Sequence, residues 1–435
     1  MPDSSPKLPW HSIPSSGATC KVHLMQAGGL YIPSDMVLLP SPDTSNSASD
    51  SNGSSDKPNP FYAPDYVFLI EHTASGNNYI FDLGMRKDLE NLPPILVKEA
   101  LPNFQCEAKS PADILKEHGS PDQQPEKAKA VIFSHMHFDH VGDGAKAGFE
   151  KAEVWLGPTC CTYARPGYPV DENAPTLSET LPVDGSRKIV ESYIPDDVLR
   201  EAGDKRAGQV MQAMTKNKYA AVDLRKREWF ALGAFERAYD VFGDGAAYLI
   251  DAPGHSPGHQ MMLLRTTSHA STNSEDTFVL LAGDCFHHKE LLNDPTRTAR
   301  PPYAKAGMHA DPEQAIDTMY RTREFERKEN VWVIGAHDPS VGNGPRPGEK
   351  LIDGLVELNA WFEMGWKKAL SHTPYPYRLP VPLTVFNSPP GSKHSPASHR
   401  TRRSKWRMRM VPSEFCASAH GAHAKLLRRI KFRNV

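Results

Sequence analysis

The run Ser134-His135-Met136-His137-Phe138-Asp139-His140-Val141-Gly142 places four metal-competent side chains within six residues, directly after the apolar stretch Ala130 to Phe133. Imidazole and carboxylate donors suit zinc and related divalent ions, and one tetrahedral site with an open position needs only three of them. Four local donors therefore imply two ions. Alternate residues of an extended loop point to opposite sides, so His135 and His137 are expected to serve one ion. Asp139 and His140, further along the turn, serve its neighbour. The competing reading is a surface histidine cluster on a turn. The apolar strand ahead and Val141-Gly142 behind argue for a buried, shaped turn instead.

A pair of ions needs further ligands, and the downstream sequence supplies them singly at strand ends. Pro253-Gly254-His255-Ser256-Pro257-Gly258-His259 follows a strand ending near Asp251, with glycines that allow close backbone approach. His255 is expected as the ligand and His259 as a supporting or core residue. Leu281-Ala282-Gly283-Asp284 ends a strand in a carboxylate suited to bridge two cations. Gly335-Ala336-His337-Asp338 ends the Val331 to Ile334 strand in the same manner, which makes His337 the last candidate.

Around these motifs, strand-like apolar runs predict strands at Val22 to Met25, Met36 to Leu39, Tyr66 to Ile70, Tyr79 to Phe81, Ala130 to Phe133 and Ala152 to Leu156. A second series follows at Ala246 to Ile250, Met261 to Leu264, Phe278 to Leu281 and Val331 to Ile334. Ser110-Pro111-Ala112-Asp113 carries an N-cap residue, a proline at the first helical position and an early acid, so a short helix starts there and ends near Gly119. Helical patterns cover Pro312 to Arg327 and a longer amphipathic stretch from about Glu349 to Leu370. Pro195 to Lys216 reads as a helical, charged excursion. Two strand-rich halves, each followed by helices, form the pattern of a four-layer αβ/βα sandwich of the α/β class.

The expected organisation is a flexible N-terminus (1–19), a catalytic domain (20–371) and a tail (372–435). Ser41 to Pro58 is rich in Ser, Asp, Asn and Gly and too poor in apolar residues to offset the entropy of ordering, so it reads as a disordered insert. The tail is first Pro-rich and then basic. Twelve Lys/Arg against Glu414 alone lie from Lys393 onward, so the net charge of −2 conceals about −13 on the rest of the chain. An acidic body argues against a nucleic-acid surface. The six cysteines show no C-x-x-C spacing, which argues against a disulfide framework or a cysteine-rich zinc site. With no leader pattern at the N-terminus and no apolar run of membrane-spanning length, the expectation is a cytoplasmic protein acting on a small molecule.

The H-x-H-x-D-H run, followed in order by the P-G-H, G-D and G-A-H-D motifs, resembles the metallo-β-lactamase superfamily. The wording from Ser134 to Gly142, together with an expected helix through Leu358-Asn359-Ala360-Trp361 and Gly365-Trp366, is similar to the N-acyl homoserine lactonase group and to fungal lactone and lactam hydrolases. The resemblance runs from about Val22 to Leu370. It implies that His135, His137 and His255 hold one ion, that Asp139, His140 and His337 hold the other, and that Asp284 bridges them. Asp82, in Phe81-Asp82-Leu83-Gly84, resembles a structural aspartate beside the site.

What the resemblance implies is a hydrolase with two divalent ions, zinc foremost, that opens a cyclic ester or amide (a lactone, a γ-lactam or a cyclic carbamate such as a benzoxazolinone) with a hydroxide shared by the ions. Asp139 and Asp284 are the implied proton carriers, and the implied setting is detoxification or secondary metabolism. The chain departs from the lactonase pattern three residues after Asp284, where a tyrosine is usual and His287 stands, with His288 beside it. Either His287 serves as donor to the developing oxyanion or leaving group, or it is a supporting residue. Cys285 and Cys160-Cys161 need no catalytic role. Gly29 to Tyr31 and Tyr163 to Tyr168 are candidates to line the mouth. The rival expectation is a thioesterase of the glyoxalase II or polyketide-releasing type, which would use the same seven ligands on an acyclic thioester.

Overall fold

Along the strands, odd and even apolar residues go to different cores, and this alternation builds the layers. The computed structural model describes residues 6–40, 60–144, 148–272, 275–341 and 354–371. The expected insert and tail lie outside the described residues. The first sheet contains β1 (Cys20–Pro33), β2 (Pro60–His72), β3 (Asn77–Phe81), β4 (Gln105–Ala108), β5 (Ala128–Ile132), β6 (Glu153–Leu156), β7 (Ile189–Tyr193) and β8 (Val222–Lys226). The second contains β9 (Phe230–Leu232), β10 (Phe235–Asp240), β11 (Ala247–Asp251), β12 (Gln260–Thr267), β13 (Thr277–Leu281) and β14 (Val331–Ile334). A last short strand, β15 (Val356–Glu357), returns to the first sheet beside β1.

The sheet orders are β15-β1-β2-β3-β5-β6-β7-β8, with β4 added on β1, and β14-β13-β12-β11-β10-β9. β1, β2 and β3 form an antiparallel meander, and β3, β5, β6, β7 and β8 then run parallel. Between the sheets pack Val22, Leu24, Phe68, Ile70, Ala130 and Ile132 from one side and Leu249, Met262, Leu264, Val279, Leu281 and Ile334 from the other. The alternate residues Met25, Val67, Leu69, Val131 and Phe133 face outward onto Leu115 of the Pro111–His118 helix and Cys160 and Cys161 of the Cys160–Ala164 helix. Ile250, Met261, Leu263, Leu280 and Val333 likewise face Leu291, Leu292, Ala315 and Met319 on the Glu290–Asn293 and Pro312–Glu326 helices. Side chains alternate across a strand, so each sheet buries both faces and the expected αβ/βα sandwich results.

Two expectations are corrected. Met36 to Leu39 is not a strand, because Ser34–Met36 forms a 3-10 turn and Leu38 makes only an isolated bridge to Thr298. Nor is there a long helix within the described part of the 349–370 stretch, where only Trp366–Ser371 is helical. Leu358 and Trp361 share helical spacing, but they sit in a turn that drops both into the inter-sheet core. Asn359 fixes that turn: its Oδ1 accepts from Val22 N at 2.9 Å, and its Nδ2 donates to Cys20 O and Thr266 O. Pro195 to Lys216 resolves into two short helices, Asp196–Glu201 and Gln209–Thr215. Of the N-terminus expected to be flexible (1–19), residues 6–19 are described. His11 exchanges two backbone hydrogen bonds with Gly233, and Trp10 packs edge-on against Phe325. Among the described residues no helix is long and apolar enough to cross a membrane.

Trp361 is 1% exposed and packs beside Trp332. Trp361→Ala is expected to cost about 3–5 kcal/mol in urea denaturation, with the activity of the folded fraction retained because the ring lies away from the strand-end loops.

Candidate functional site

Every motif singled out in the sequence emerges from the C-terminal end of a strand, and backbone hydrogen bonds stitch those ends together. Asp82 N donates to Ile132 O and Gln260 N to Ser134 O, while Ala282 N donates to Ile334 O and Ala336 N to Gly283 O. Gly283 adopts φ +49°, and a Cβ there would meet the Ser134 Cβ at 2.9 Å. Only glycine lets the Asp284 loop lie this close to the His135 loop.

The result is one centre with two lobes. In the first, His255 Nε2 lies 3.1 Å from His135 Nε2, 3.0 Å from His137 Nδ1 and 3.3 Å from Asp284 Oδ2. In the second, Asp284 Oδ1 lies 3.1 Å from His140 Nε2 and 3.3 Å from His337 Nε2, which is itself 3.4 Å from Asp139 Oδ2. Asp284 thus turns one oxygen to each lobe. His140 Nε2, His337 Nε2 and Asp284 Oδ1 are buried and make no hydrogen bond. Ligand atoms about 2.0–2.1 Å from a tetrahedral ion are roughly 3.3 Å apart, so these separations fit a cation in each lobe. The two donor sets, His135, His137, His255 and Asp284, and Asp139, His140 and His337, could each hold a metal ion.

Most of these imidazoles are oriented by a partner on Nδ1, as metal-binding histidines usually are. His135 Nδ1 meets Ser134 Oγ at 3.0 Å, His140 Nδ1 meets Asp82 Oδ2 at 2.9 Å and His337 Nδ1 meets Pro64 O at 2.8 Å. Asp82 also accepts from Ser134 N and Oγ, both at 2.7 Å. It holds φ +62°, a left-handed conformation imposed by these bonds. His259 braces Asp284 from behind: Asp284 N donates to its Nε2 at 3.1 Å while its Nδ1 faces Ala252 O at 2.8 Å.

The electrostatics calls for positive charge. Burial drives His135 and His255 well below the usual histidine range and His137 to about 4, leaving neutral rings in the form that binds metals. In the second lobe burial acts the same way, but Asp284 with Asp82 outweighs it at His140, and Asp284 with Asp139 outweighs it at His337. His140 is raised well above the histidine range, and His337 to about 9. Burial opposes ionisation of Asp284 too, yet His140, His337 and His287 hold its carboxyl well below the carboxylate range.

His287 is brought into the same centre. Its Nε2 lies 3.1 Å from Asp284 Oδ2, its ring stacks on His337, and neither ring nitrogen makes a hydrogen bond. Tyr163 reaches the mouth, with its ring 6.4 Å from that of His137, whereas the ring contact of Tyr31 is with Tyr62. Cys285 Sγ sits against Thr322 Oγ1, and burial pushes its thiol up to about 12, consistent with a filler.

Two residues escaped the sequence reading. His309, from the loop before the Pro312–Glu326 helix, packs against both His255 and His287. Asp65, on β2, is fully buried with neither oxygen hydrogen-bonded, and burial pushes its carboxyl up to about 8. A lone histidine in a Met-His-Ala loop and a lone acid inside an apolar strand give no pattern to read.

The chain is similar to known proteins. Over 353 residues the chain is 29% identical to the γ-lactamase FDB1 of Fusarium pseudograminearum, covering 70% of this chain and 72% of that one. It is 28% identical over 337 residues to the metallo-hydrolase mfmC of Annulohypoxylon moriforme, covering 70% and 78%. With the γ-lactamase MBL2 of Gibberella moniliformis it shares 31% identity over 212 residues, covering 48% of this chain and 70% of that one. No family model matches the chain. The protein is a metal-dependent hydrolase with two divalent ions. It belongs to the metallo-β-lactamase superfamily.

Because His337 and His140 carry raised values in the metal-free fold, their protonation stabilises that fold fully below about pH 6.5, and for His337 this is lost as pH rises through about 9. The metal-free protein is therefore expected to melt at progressively lower temperature between pH 6.5 and 9. The metal-loaded protein, whose ions replace those protons, should lack the decline. Parallel melting curves across this range check it.

Proposed function

We propose that this chain hydrolyses a cyclic ester or amide, such as a lactone, a γ-lactam or a cyclic carbamate of the benzoxazolinone kind, in detoxification or secondary metabolism. The observation that carries the reading is the placement of Asp284 between the two lobes, one carboxylate oxygen in each. In this reading His135, His137 and His255 hold one ion, Asp139, His140 and His337 hold the other, and Asp284 bridges them. Five imidazoles and two carboxylates, with no thiolate, favour zinc as the metal. Two divalent ions there would supply Lewis acidity and lower the pKa of a bound water, so that hydrolysis needs no serine or cysteine nucleophile.

The protein's own groups do the rest. His287, with two unpaired ring nitrogens beside Asp284, is placed to donate a hydrogen bond to the carbonyl oxygen as it gains charge, the task of an oxyanion donor. Asp139 and Asp284 are the carboxylates within reach of the reacting centre, where either can carry a proton toward the leaving oxygen or nitrogen. Phe138, inside the metal motif, packs with Leu92, Leu96 and Ala100 and lies near Phe104. This gives the apolar part of a substrate a wall and keeps bulk water back. The cyclic substrate class is supported by the two relatives named γ-lactamases.

The test is a hydrolysis panel with zinc-loaded protein: an acyl homoserine lactone, a benzoxazolinone, a simple γ-lactam and a glutathione thioester. Turnover of a cyclic member is expected, and turnover of the thioester alone rejects the proposal in favour of a thioesterase. In the same assay His287→Phe should lower kcat by about 100-fold with both ions retained. Loss of an ion in that variant would make His287 a ligand instead.

A further inference from the structure

Among the imidazoles of the two lobes, His255 stands apart in what holds it. The Nδ1 atoms of His135, His140 and His337 face oxygens of Ser134, Asp82 and Pro64. The Nδ1 of His255 faces another histidine, His309, at 3.2 Å from its Nδ1. Both residues are buried, at 2% and 5% exposure. The contact is built into the backbone. Ala310 N donates to His255 O and Asp311 N to Gly254 O, both at 2.9 Å, so the loop carrying His309 is zipped along the loop carrying His255. Gly254 holds φ +125°, and a Cβ there would collide with Ala315 N at 2.3 Å. The loop is therefore seated against the start of the Pro312–Glu326 helix, where Asp311 Oδ1 accepts from Gln314 N.

We propose that His309 is a positioning residue that fixes the tautomer and ring orientation of His255 by accepting a hydrogen bond from its Nδ1–H. The inference rests on the reading of His255 as a ligand of the first lobe. His255 turns Nε2 toward His135, His137 and Asp284, so that atom must offer its lone pair and the ring proton must sit on Nδ1. A buried N–H with no acceptor is destabilising. The Nδ1 lone pair of His309 removes that cost, provided its own proton sits on Nε2. Ring orientation is then set by two imidazoles locked face to edge at 84° rather than by a main-chain oxygen. Because His309 also packs against His287, at 5.3 Å between ring centroids, it links the orientation of the first-lobe ligand to that of the expected oxyanion donor.

The test compares the zinc-loaded wild-type protein with His309→Asn, whose amide oxygen accepts where Nδ1 did, and with His309→Phe and His309→Leu, which fill space but accept nothing. Zinc per chain is measured after dialysis against a graded chelator, alongside the visible spectrum of the cobalt-substituted proteins. Phe and Leu are expected to release one ion at about 10- to 100-fold lower chelator, with an altered cobalt spectrum and the second ion unmoved. Asn should stay within about threefold of wild type. If Phe misfolds, the contrast of Leu with Asn decides. The proposal is overturned if Phe and Leu hold both ions as wild type does, or if Asn is as weak as Leu. It is also overturned if wild type holds a third ion that these variants lack, since His309 would then be a ligand. A wild-type protein that takes up no stoichiometric zinc overturns the two-ion reading itself, a result distinct from all of these.

Discussion

An ionised carboxylate that is 2% exposed, with each oxygen turned to a different set of imidazoles, is the interaction on which the rest of this structure depends. Removing such a charge from water costs several kcal/mol unless opposite charge and hydrogen bonds meet it. Among the described residues no lysine or arginine pairs with Asp284. The compensation comes from His140, His337 and His287, and from the cations that the converging lone pairs of the two lobes are shaped to take. Asp139 adds a second buried carboxylate to the same volume. The centre therefore carries a surplus of negative charge that only divalent cations, or protons held against the cost of burial, can balance.

That demand explains where the sequence spends its special residues. A carboxylate can serve two lobes only if loops from both sheets approach within bonding distance, which is why Gly283 abuts Ser134 and why the strand-end loops exchange backbone hydrogen bonds. The sandwich supplies rigid edges, because each sheet is buried on both faces. The partners at Nδ1 then remove rotational freedom from the rings. Asp82 does this for two residues at once, bonding His140 directly and His135 through Ser134.

The lobes were legible in sequence to the extent that their chemistry is local or punctuated. His135 to His140 is a dense cluster, and His255, Asp284 and His337 each follow an apolar strand, so residue type and strand ending together mark them. Continuous apolar runs made the strands readable in the same way, while which residue faces which core, as at Val131 and Ile132 or Leu263 and Leu264, follows from alternation along the strand. Misreadings arose where a short apolar spacing has two physical solutions. Leu358 and Trp361 are three apart in a helix or in a tight turn, and the side chain of Asn359, clamped to β1 and β12, chooses the turn. His309 was invisible because it is marked only by contacts with His255 and His287, 54 and 22 positions earlier in the chain.

The same distinction separates reaction from substrate. The reaction class follows from donors on regular strand ends, which pattern can find. The apolar ground around Phe138, the substrate wall of the proposed function, is built differently: short 3-10 turns flank a π-turn at Leu96–Ala100. Such segments have no repeating period, and their apolar residues pack as an irregular cap instead of a sheet face or helix stripe. A chain can thus declare its metal chemistry in a few fixed positions while the irregular turns beside them declare nothing of the substrate. The His255 and His309 pair stands at the junction of these two regimes, because one partner is fixed by a strand end and the other by a loop that also touches His287.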